Sequence, residues 1–154
     1  MIYIKDNTIT EEDLKKLEVF KTHPFYLWGD ENSQIRCVNI ASDHQIPLKI
    51  QGYVSKDLKF KNIELAEIIT YPTGVSKNFH FDTQRESTTG TSVTFLNDDF
   101  IGGEPIIEGV KITPITGRTY FIDGKMYKHA VLNVIKGSRH VLTIWYNNGK
   151  NNNN

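Results

Sequence analysis

His80, Asp82, His129 and Arg139 are the residues whose types and spacing could do chemistry in this 154-residue chain. Two imidazoles and one carboxylate can cap one face of a metal ion and leave the opposite face open. That facial arrangement suits a non-haem Fe(II) ion that must bind O₂ and a co-substrate at once. Arg139, ten residues beyond His129, carries a planar, permanently charged fork that matches a carboxylate. There it could hold the far carboxylate of a 2-oxoacid chelating the metal. Taken alone, His80-Phe81-Asp82 is weak, because an exposed pair or a histidine satisfied in the core gives the same spacing more often.

The surrounding elements strengthen the signal. Residues two apart in a strand point to one face, so an extended Phe79–Asp82 projects His80 and Asp82 together with Phe81 packed behind them. His129 follows the turn Asp123-Gly124-Lys125 and precedes a strand-like run, which allows it to sit across a barrel from the pair. In the last strand, Arg139, Val141, Thr143 and Trp145 share one face, while His140, Leu142, Ile144 and Tyr146 share the other. Arg139 and Trp145 would then look into one cavity, Trp145 either stacking on substrate or serving as plain core. An inward arginine is costly unless it meets an anion. Tyr71 ends a strongly apolar run just before Pro72-Thr73-Gly74, where its hydroxyl could share that anion.

The rest of the chain reads as a frame of short strands. Thr10 with Asp13 makes a capping box for a helix running to about Phe20, with Leu14, Leu17 and Phe20 on one stripe. Strands are expected at Phe25–Trp28, Ile35–Ile40, Ile63–Tyr71, Phe79–Asp82, Ser92–Asn97, Arg118–Ile122 and Arg139–Tyr146. Turn chemistry at Gly29-Asp30, Gly102-Gly103, Asp123-Gly124 and Lys136-Gly137-Ser138 separates many of them. Such punctuation predicts a mainly β, α+β chain with a sandwich or barrel-like jelly roll and N-terminal helix support. One domain is expected over residues 1–146, followed by an Asn-rich, disordered tail at 147–154.

Composition narrows the classes. Apolar residues make up 38% and charged residues 23%, ordinary for a soluble globular domain. Eighteen basic and eighteen acidic side chains cancel, so no global field draws the chain to nucleic acid or an anionic membrane. Cys37 is the only cysteine and reads as a small buried thiol, which fits a reducing, cytoplasmic setting. Met1–Leu14 has no apolar signal core, and no stretch approaches membrane-spanning length. Asn97-Asp98-Asp99 reads as a turn capping its own backbone, Arg118 as meeting a surface carboxylate, and His23 and His44 as loop histidines.

In order, the chain carries Tyr71-Pro-Thr-Gly74, His80-x-Asp82, Thr94-Phe-Leu-Asn-Asp-Asp-Phe-Ile-Gly-Gly-Glu104 and Pro114-Ile-Thr-Gly-Arg118. His129-Ala-Val131, Val134-Ile-Lys-Gly-Ser-Arg139 and Leu142-Thr-Ile-Trp145 follow. This succession resembles the prolyl 4-hydroxylase-like branch of the Fe(II)/2-oxoglutarate-dependent dioxygenases. The resemblance covers about half the chain, from Ile63 to Tyr146. It implies a double-stranded β-helix (jelly-roll, cupin-like) core, with His80, Asp82 and His129 as iron ligands. Tyr71 and Arg139 would bind the distal carboxylate of 2-oxoglutarate. It also implies hydroxylation of a substrate C–H bond using O₂, with release of succinate and CO₂ and with ascorbate as an optional reductant. Lys is usual at the Arg139 position in collagen-type and algal prolyl hydroxylases, whereas other branches use Arg. Lys77 stands where many prolyl hydroxylases carry Tyr.

A prolyl residue in a protein or peptide is the first substrate expectation. A free amino acid or other small molecule is the second, and a non-catalytic jelly-roll binding module the third. Substrate specificity is expected in the loops at Asp43–Lys61 and Thr83–Gly90.

Overall fold

Two long runs of β-branched and aromatic residues set the frame: Asn62–Tyr71 and Arg139–Asn147 pair antiparallel along almost their whole length. The computed structural model describes residues 2–28, 34–82 and 85–150. Its strands are β1 (Tyr3–Lys5), β2 (Tyr26–Leu27), β3 (Arg36–Ile40), β4 (Asn62–Tyr71), β5 (Lys77–His80), β6 (Thr88–Phe95) and β7 (Ile101–Gly102). They continue as β8 (Pro105–Ile107), β9 (Val110–Lys111), β10 (Thr119–Ile122), β11 (His129–Val131), β12 (Val134–Lys136) and β13 (Arg139–Asn147). Two α-helices complete the fold, α1 (Glu11–Leu17) and α2 (Gln45–Gly52).

Seven strands form the main antiparallel sheet, in the order β1-β10-β6-β13-β4-β3-β2. A four-stranded sheet, β5-β11-β8-β9, and the pair β12-β7 make up the rest. Ile69, Val93, Phe95 and Val141 of the main sheet share one core with Ile107 of β8 and Val134 of β12, as two packed layers require. The opposite face of the main sheet packs Ala66, Leu142, Ile144 and Tyr146 against Leu17, Ile46, Ile50 and Phe60 from the helical segments. Both faces of β13 are thus covered, which explains why Val141 and Trp145 on one face and Leu142, Ile144 and Tyr146 on the other are all apolar or aromatic. The expected mainly β double-stranded β-helix is the observed fold.

Thr10 caps α1 as expected: its hydroxyl accepts from Asp13 N, and Asp13 in turn accepts from Thr10 N. The α-helix stops at Leu17, however, and Glu18–Thr22 continues as a tighter 3₁₀ turn. The stretch from residue 43 to 61 is not a loop over the site. It holds α2, for which His44 is the N-cap through its side-chain bond to Ile46 N. Ile46 and Ile50, one turn apart, bury against the outer face, and Pro47 sits in the first turn, where no N–H is needed.

Asn97 does not cap its own turn. Its amide donates to Asp99 and to the Ser138 carbonyl, and its Oδ1 accepts from His140 N, tying two loops together. Arg118 meets a surface carboxylate, Asp6, at 2.7 Å. Cys37 is buried. The expected turn at Gly29-Asp30 and the last four Asn lie outside the described residues. Among the described residues, no helix is long and apolar enough to cross a membrane.

Candidate active site

Antiparallel pairing of β5 with β11 makes His80 and His129 direct register partners. Their imidazole centroids stand 4.3 Å apart. Asp82 lies just past the end of β5, where its N–H donates to the Gly124 carbonyl at 2.8 Å and turns the side chain toward the two rings. Its Oδ1 is 3.3 Å from His129 Nε2 and 3.9 Å from His80 Nε2. One ligand atom from each of the three residues falls within 4.8 Å of the others. The expected strand over Phe79–Asp82 is therefore shorter, and convergence comes from the β5–β11 register plus the bond to Gly124. Phe81 does not pack behind the pair: it is 42% exposed and lines the cavity.

Each imidazole is oriented from behind. His80 Nδ1 lies 2.7 Å from the Asn78 carbonyl and His129 Nδ1 lies 2.8 Å from the Tyr127 carbonyl. Both carbonyls require a proton on Nδ1, which leaves the Nε2 lone pairs facing Asp82, as metal ligation needs. Burial works against the Asp82 anion, but His129, the Thr91 hydroxyl and His80 outweigh it and hold its carboxyl below the usual range. Burial pushes His80 below the ordinary imidazole value. For His129, burial acts in the same direction but is overcome by Asp82, so its value rises. The donor set, two neutral-capable nitrogens and one carboxylate oxygen at close quarters, fits a divalent non-haem metal ion.

Three residues that the sequence pattern did not single out complete this end of the site. Thr91 Oγ1 donates to Asp82 Oδ2 at 2.7 Å. Gly124 is there for space: a Cβ on it would stand 1.9 Å from Asp82 Oδ2. Tyr120, on β10, is buried in the same cavity, and Arg139 counters part of the burial that pushes its phenol up to about 12. A hydroxyl or glycine acquires such a role only through tertiary contact. The one hint in the sequence was the Asp123-Gly124 turn.

The cavity measures about 240 Å³, and His80, Asp82, His129, Tyr71, Tyr120 and Arg139 all line it. Arg139 pairs in register with Tyr71 and is only 2% exposed. Its Nε donates to the Gly103 carbonyl at 2.9 Å, and its guanidinium carbon lies 5.0 Å from the Tyr71 ring centroid and 5.7 Å from that of Phe95. Gly103 adopts φ +68°, and a Cβ there would already be 3.1 Å from Arg139 Cδ. Among the described residues, no carboxylate pairs with Arg139. A buried guanidinium without a counter-ion is expensive, and an anion entering the cavity would offset that cost.

The alternation expected for β13 is observed. Val141, Thr143 and Trp145 line the cavity with Arg139, while Leu142, Ile144 and Tyr146 pack into the outer core. Trp28, Lys77 and Arg85 also line the cavity, with Lys77 Nζ 4.8 Å from the Trp28 ring centroid. No residue from 43 to 61 does so, because that segment packs on the outer face. Of the stretch from Thr83 to Gly90, Arg85 and Thr88 line the cavity, and Thr83 and Gln84 lie outside the described residues.

A jelly roll thus gathers in one cavity two histidines, an aspartate and a guanidinium that has no carboxylate partner among the described residues, a set that could hold a non-haem metal beside an anion. A family model described as the 2OG-Fe(II) oxygenase superfamily matches residues 66–147, more than half of the chain, and the chain belongs to that superfamily. No curated protein sequence matches it. Among solved structures it is similar to an oxidoreductase of the 2OG-Fe(II) oxygenase family from Burkholderia pseudomallei. There the TM-score is 0.77 at 12% identity, over 96% of this chain and 85% of that one. A prolyl-4-hydroxylase from Pseudomonas putida gives 0.71 at 15% identity, over 95% and 91%. A prolyl hydroxylase from Trichoplax adhaerens, solved with a hypoxia inducible factor oxygen degradation domain peptide fragment, gives 0.70 at 17%, over 96% and 83%.

Proposed function

We propose that this chain is an Fe(II)- and 2-oxoglutarate-dependent hydroxylase acting on a prolyl residue of a protein or peptide. The observation that carries the co-substrate half is Arg139, buried without a carboxylate partner among the described residues, in the same cavity as the His80-Asp82-His129 cluster. In this reading His80, Asp82 and His129 hold the metal, and Arg139 grips the distal carboxylate of 2-oxoglutarate with Tyr71 beside it. An Fe(II) ion held by the two histidines and Asp82 would supply, with O₂ and 2-oxoglutarate, the oxidising chemistry for C–H hydroxylation with release of succinate and CO₂.

The chain's own share is positioning. The Asn78 and Tyr127 carbonyls fix the imidazole tautomers, and Thr91 and the bare Gly124 seat the carboxylate. Buried aromatic neighbours around Arg139 keep water from screening its charge. Trp28, Phe81 and Trp145 line the cavity with aromatic surface suited to a pyrrolidine ring. The prolyl assignment is further supported by similarity to prolyl hydroxylases, one of them solved with a peptide. We take residues 1–146 as one domain and place the reaction in the cytoplasm, in keeping with the lone buried cysteine.

The test is an anaerobic titration of Fe(II)-loaded protein with 2-oxoglutarate, followed by its visible charge-transfer band. A saturable band, absent in His129→Ala and weakened in Arg139→Ala, is expected. No band from folded, iron-loaded protein would leave a non-catalytic jelly-roll module as the better reading. Succinate release is then screened with prolyl peptides and free amino acids. Stimulation by amino acids alone would replace the peptide substrate with a small molecule.

A further inference from the structure

A second cavity, of about 530 Å³, lies on the outer face of the main sheet, roofed by α1 and the 3₁₀ turn at Glu18–Thr22. Its volume is within the ordinary range for small-molecule sites. Leu14, Leu17 and Phe20 line it from the helical side, and Val38, Ile68 and Leu96 from the sheet side. No residue of the His80-Asp82-His129 cluster lines it.

Arg36, on β3, is its unusual member. The guanidinium carbon stacks 4.3 Å from the Phe25 ring centroid, and Nη2 donates to the Lys21 carbonyl at 3.0 Å. Arg36 Nε is buried with no hydrogen-bond partner, and among the described residues no carboxylate pairs with the guanidinium. The acidic groups lining the cavity are already engaged: Glu18 pairs with Lys21 at 2.9 Å and Asp99 accepts from Asn97 at 2.6 Å. Thr70 and His140 add a polar corner, joined by a 2.8 Å contact between Oγ1 and Nδ1. A half-buried guanidinium with one unpaired buried N–H, at the edge of an apolar cavity, is a ready partner for an anion with an apolar body.

We propose that this outer cavity is a second binding site, taking a small amphipathic carboxylate. Its acyl or aryl body lies between the helical roof and the sheet, and its carboxylate meets Arg36 beside Thr70 and His140. The proposal rests on Arg36 and the apolar lining and is independent of the oxygenase reading.

The experiment is calorimetric titration of the full chain with octanoate, and separately with 1-octanol, repeated on Arg36→Gln and Arg139→Ala. Expected is one saturable octanoate site, at least tenfold weaker for octanol, at least tenfold weaker in Arg36→Gln and unchanged in Arg139→Ala. Should Arg36→Gln fail to fold, Leu14→Trp, which fills the cavity from its roof, must abolish binding. Equal affinity for octanol and octanoate would overturn the proposal, since the cavity would then have no anion subsite. Loss of binding in Arg139→Ala alone would also overturn it, placing the carboxylate in the inner cavity. Concentration-dependent self-association seen by light scattering, with octanoate excluded, would overturn it in favour of a second copy covering this face.

Discussion

The main sheet presents the same architecture to two different environments. On its inner face, Arg139 is packed among Tyr71, Tyr120, Phe95 and the Gly103 carbonyl, and shares its cavity with three metal-competent side chains. On its outer face, Arg36 rests on a single exposed ring and donates to the Lys21 carbonyl, at the edge of a wider apolar cavity. Neither guanidinium has a carboxylate partner among the described residues. Each fork has an aromatic neighbour and a carbonyl acceptor; what differs is enclosure, since the inner fork is 2% exposed between two rings and the outer one is half-buried beside one. His140 sharpens the contrast. It adjoins Arg139 in the chain, yet the two-residue period of a strand sends it to the outer cavity. Adjacency in sequence therefore says nothing about sharing a site, while register across β5 and β11 says nearly everything.

The largest effect should come from the smallest side chain. Adding a methyl in Gly124→Ala forces its Cβ against the Asp82 carboxylate, which must swing away from His80 and His129. Metal affinity should fall by about 100-fold, the upper end of what outer supports of a metal site contribute. The outer cavity, which shares no residue with this turn, should be untouched. Competition titration with Co(II) reads the first effect and octanoate calorimetry the second. Wild-type metal affinity in the alanine variant would mean that Asp82 reaches the metal by another route and that the inner face is less rigid than described.

A matched pair of substitutions separates the two arginines. Arg139→Met keeps bulk and removes the unpaired buried charge, so unfolding in urea without ligand should show stability equal to wild type or greater, by up to about 4 kcal/mol. Its 2-oxoglutarate affinity should nevertheless fall by roughly 10- to 100-fold, the value of charge-assisted bonds to a carboxylate. Arg36→Met should leave 2-oxoglutarate binding at the wild-type level. A stability loss of several kcal/mol in Arg139→Met, with co-substrate binding retained, would make the inner arginine a structural strut.

How much of this was legible depended on where the stabilising contacts are. The faces of β13 could be read because both are buried and alternate cleanly, and α1 because Thr10 and Asp13 satisfy each other locally. The helix α2 could not. It starts at a histidine instead of a common capping residue, contains Pro47 and ends at Gly52, and it is held by Ile46 and Ile50 against the outer core. Strands of two or three residues, such as β7, β9 and β11, are too short to show a period. The metal-competent residues and Arg139 were visible as chemistry. Thr91, Gly124 and Tyr120 were not, because their roles consist of distances between segments far apart in the chain.

The smallest expected effect concerns a third charged group in the sheet, this time an acid. Glu67, 2% exposed in the middle of β4, accepts a hydrogen bond from Tyr26 of the edge strand β2 and lies near Cys37, whose thiol is pushed up to about 12. Burial is the main influence on Glu67 and raises its carboxyl above the usual value, against the lowering effects of Tyr26 and Arg85. A carboxyl that keeps its proton longer in the fold than in the unfolded chain stabilises the fold fully below the ordinary glutamate value. That contribution is lost as pH rises through the raised folded value. Glu67→Gln imitates the protonated form and can still accept from Tyr26. It should therefore match wild type in acid and become the more stable of the two by pH 8, by less than about 2 kcal/mol. Urea unfolding of both proteins from pH 4 to 8 measures the difference. A gap that stays constant with pH would mean that the Glu67 carboxyl titrates alike in both states. A gap of opposite sign would mean that the Tyr26 bond favours the anion, so that the inner face of the sheet stabilises a negative charge as well as a positive one.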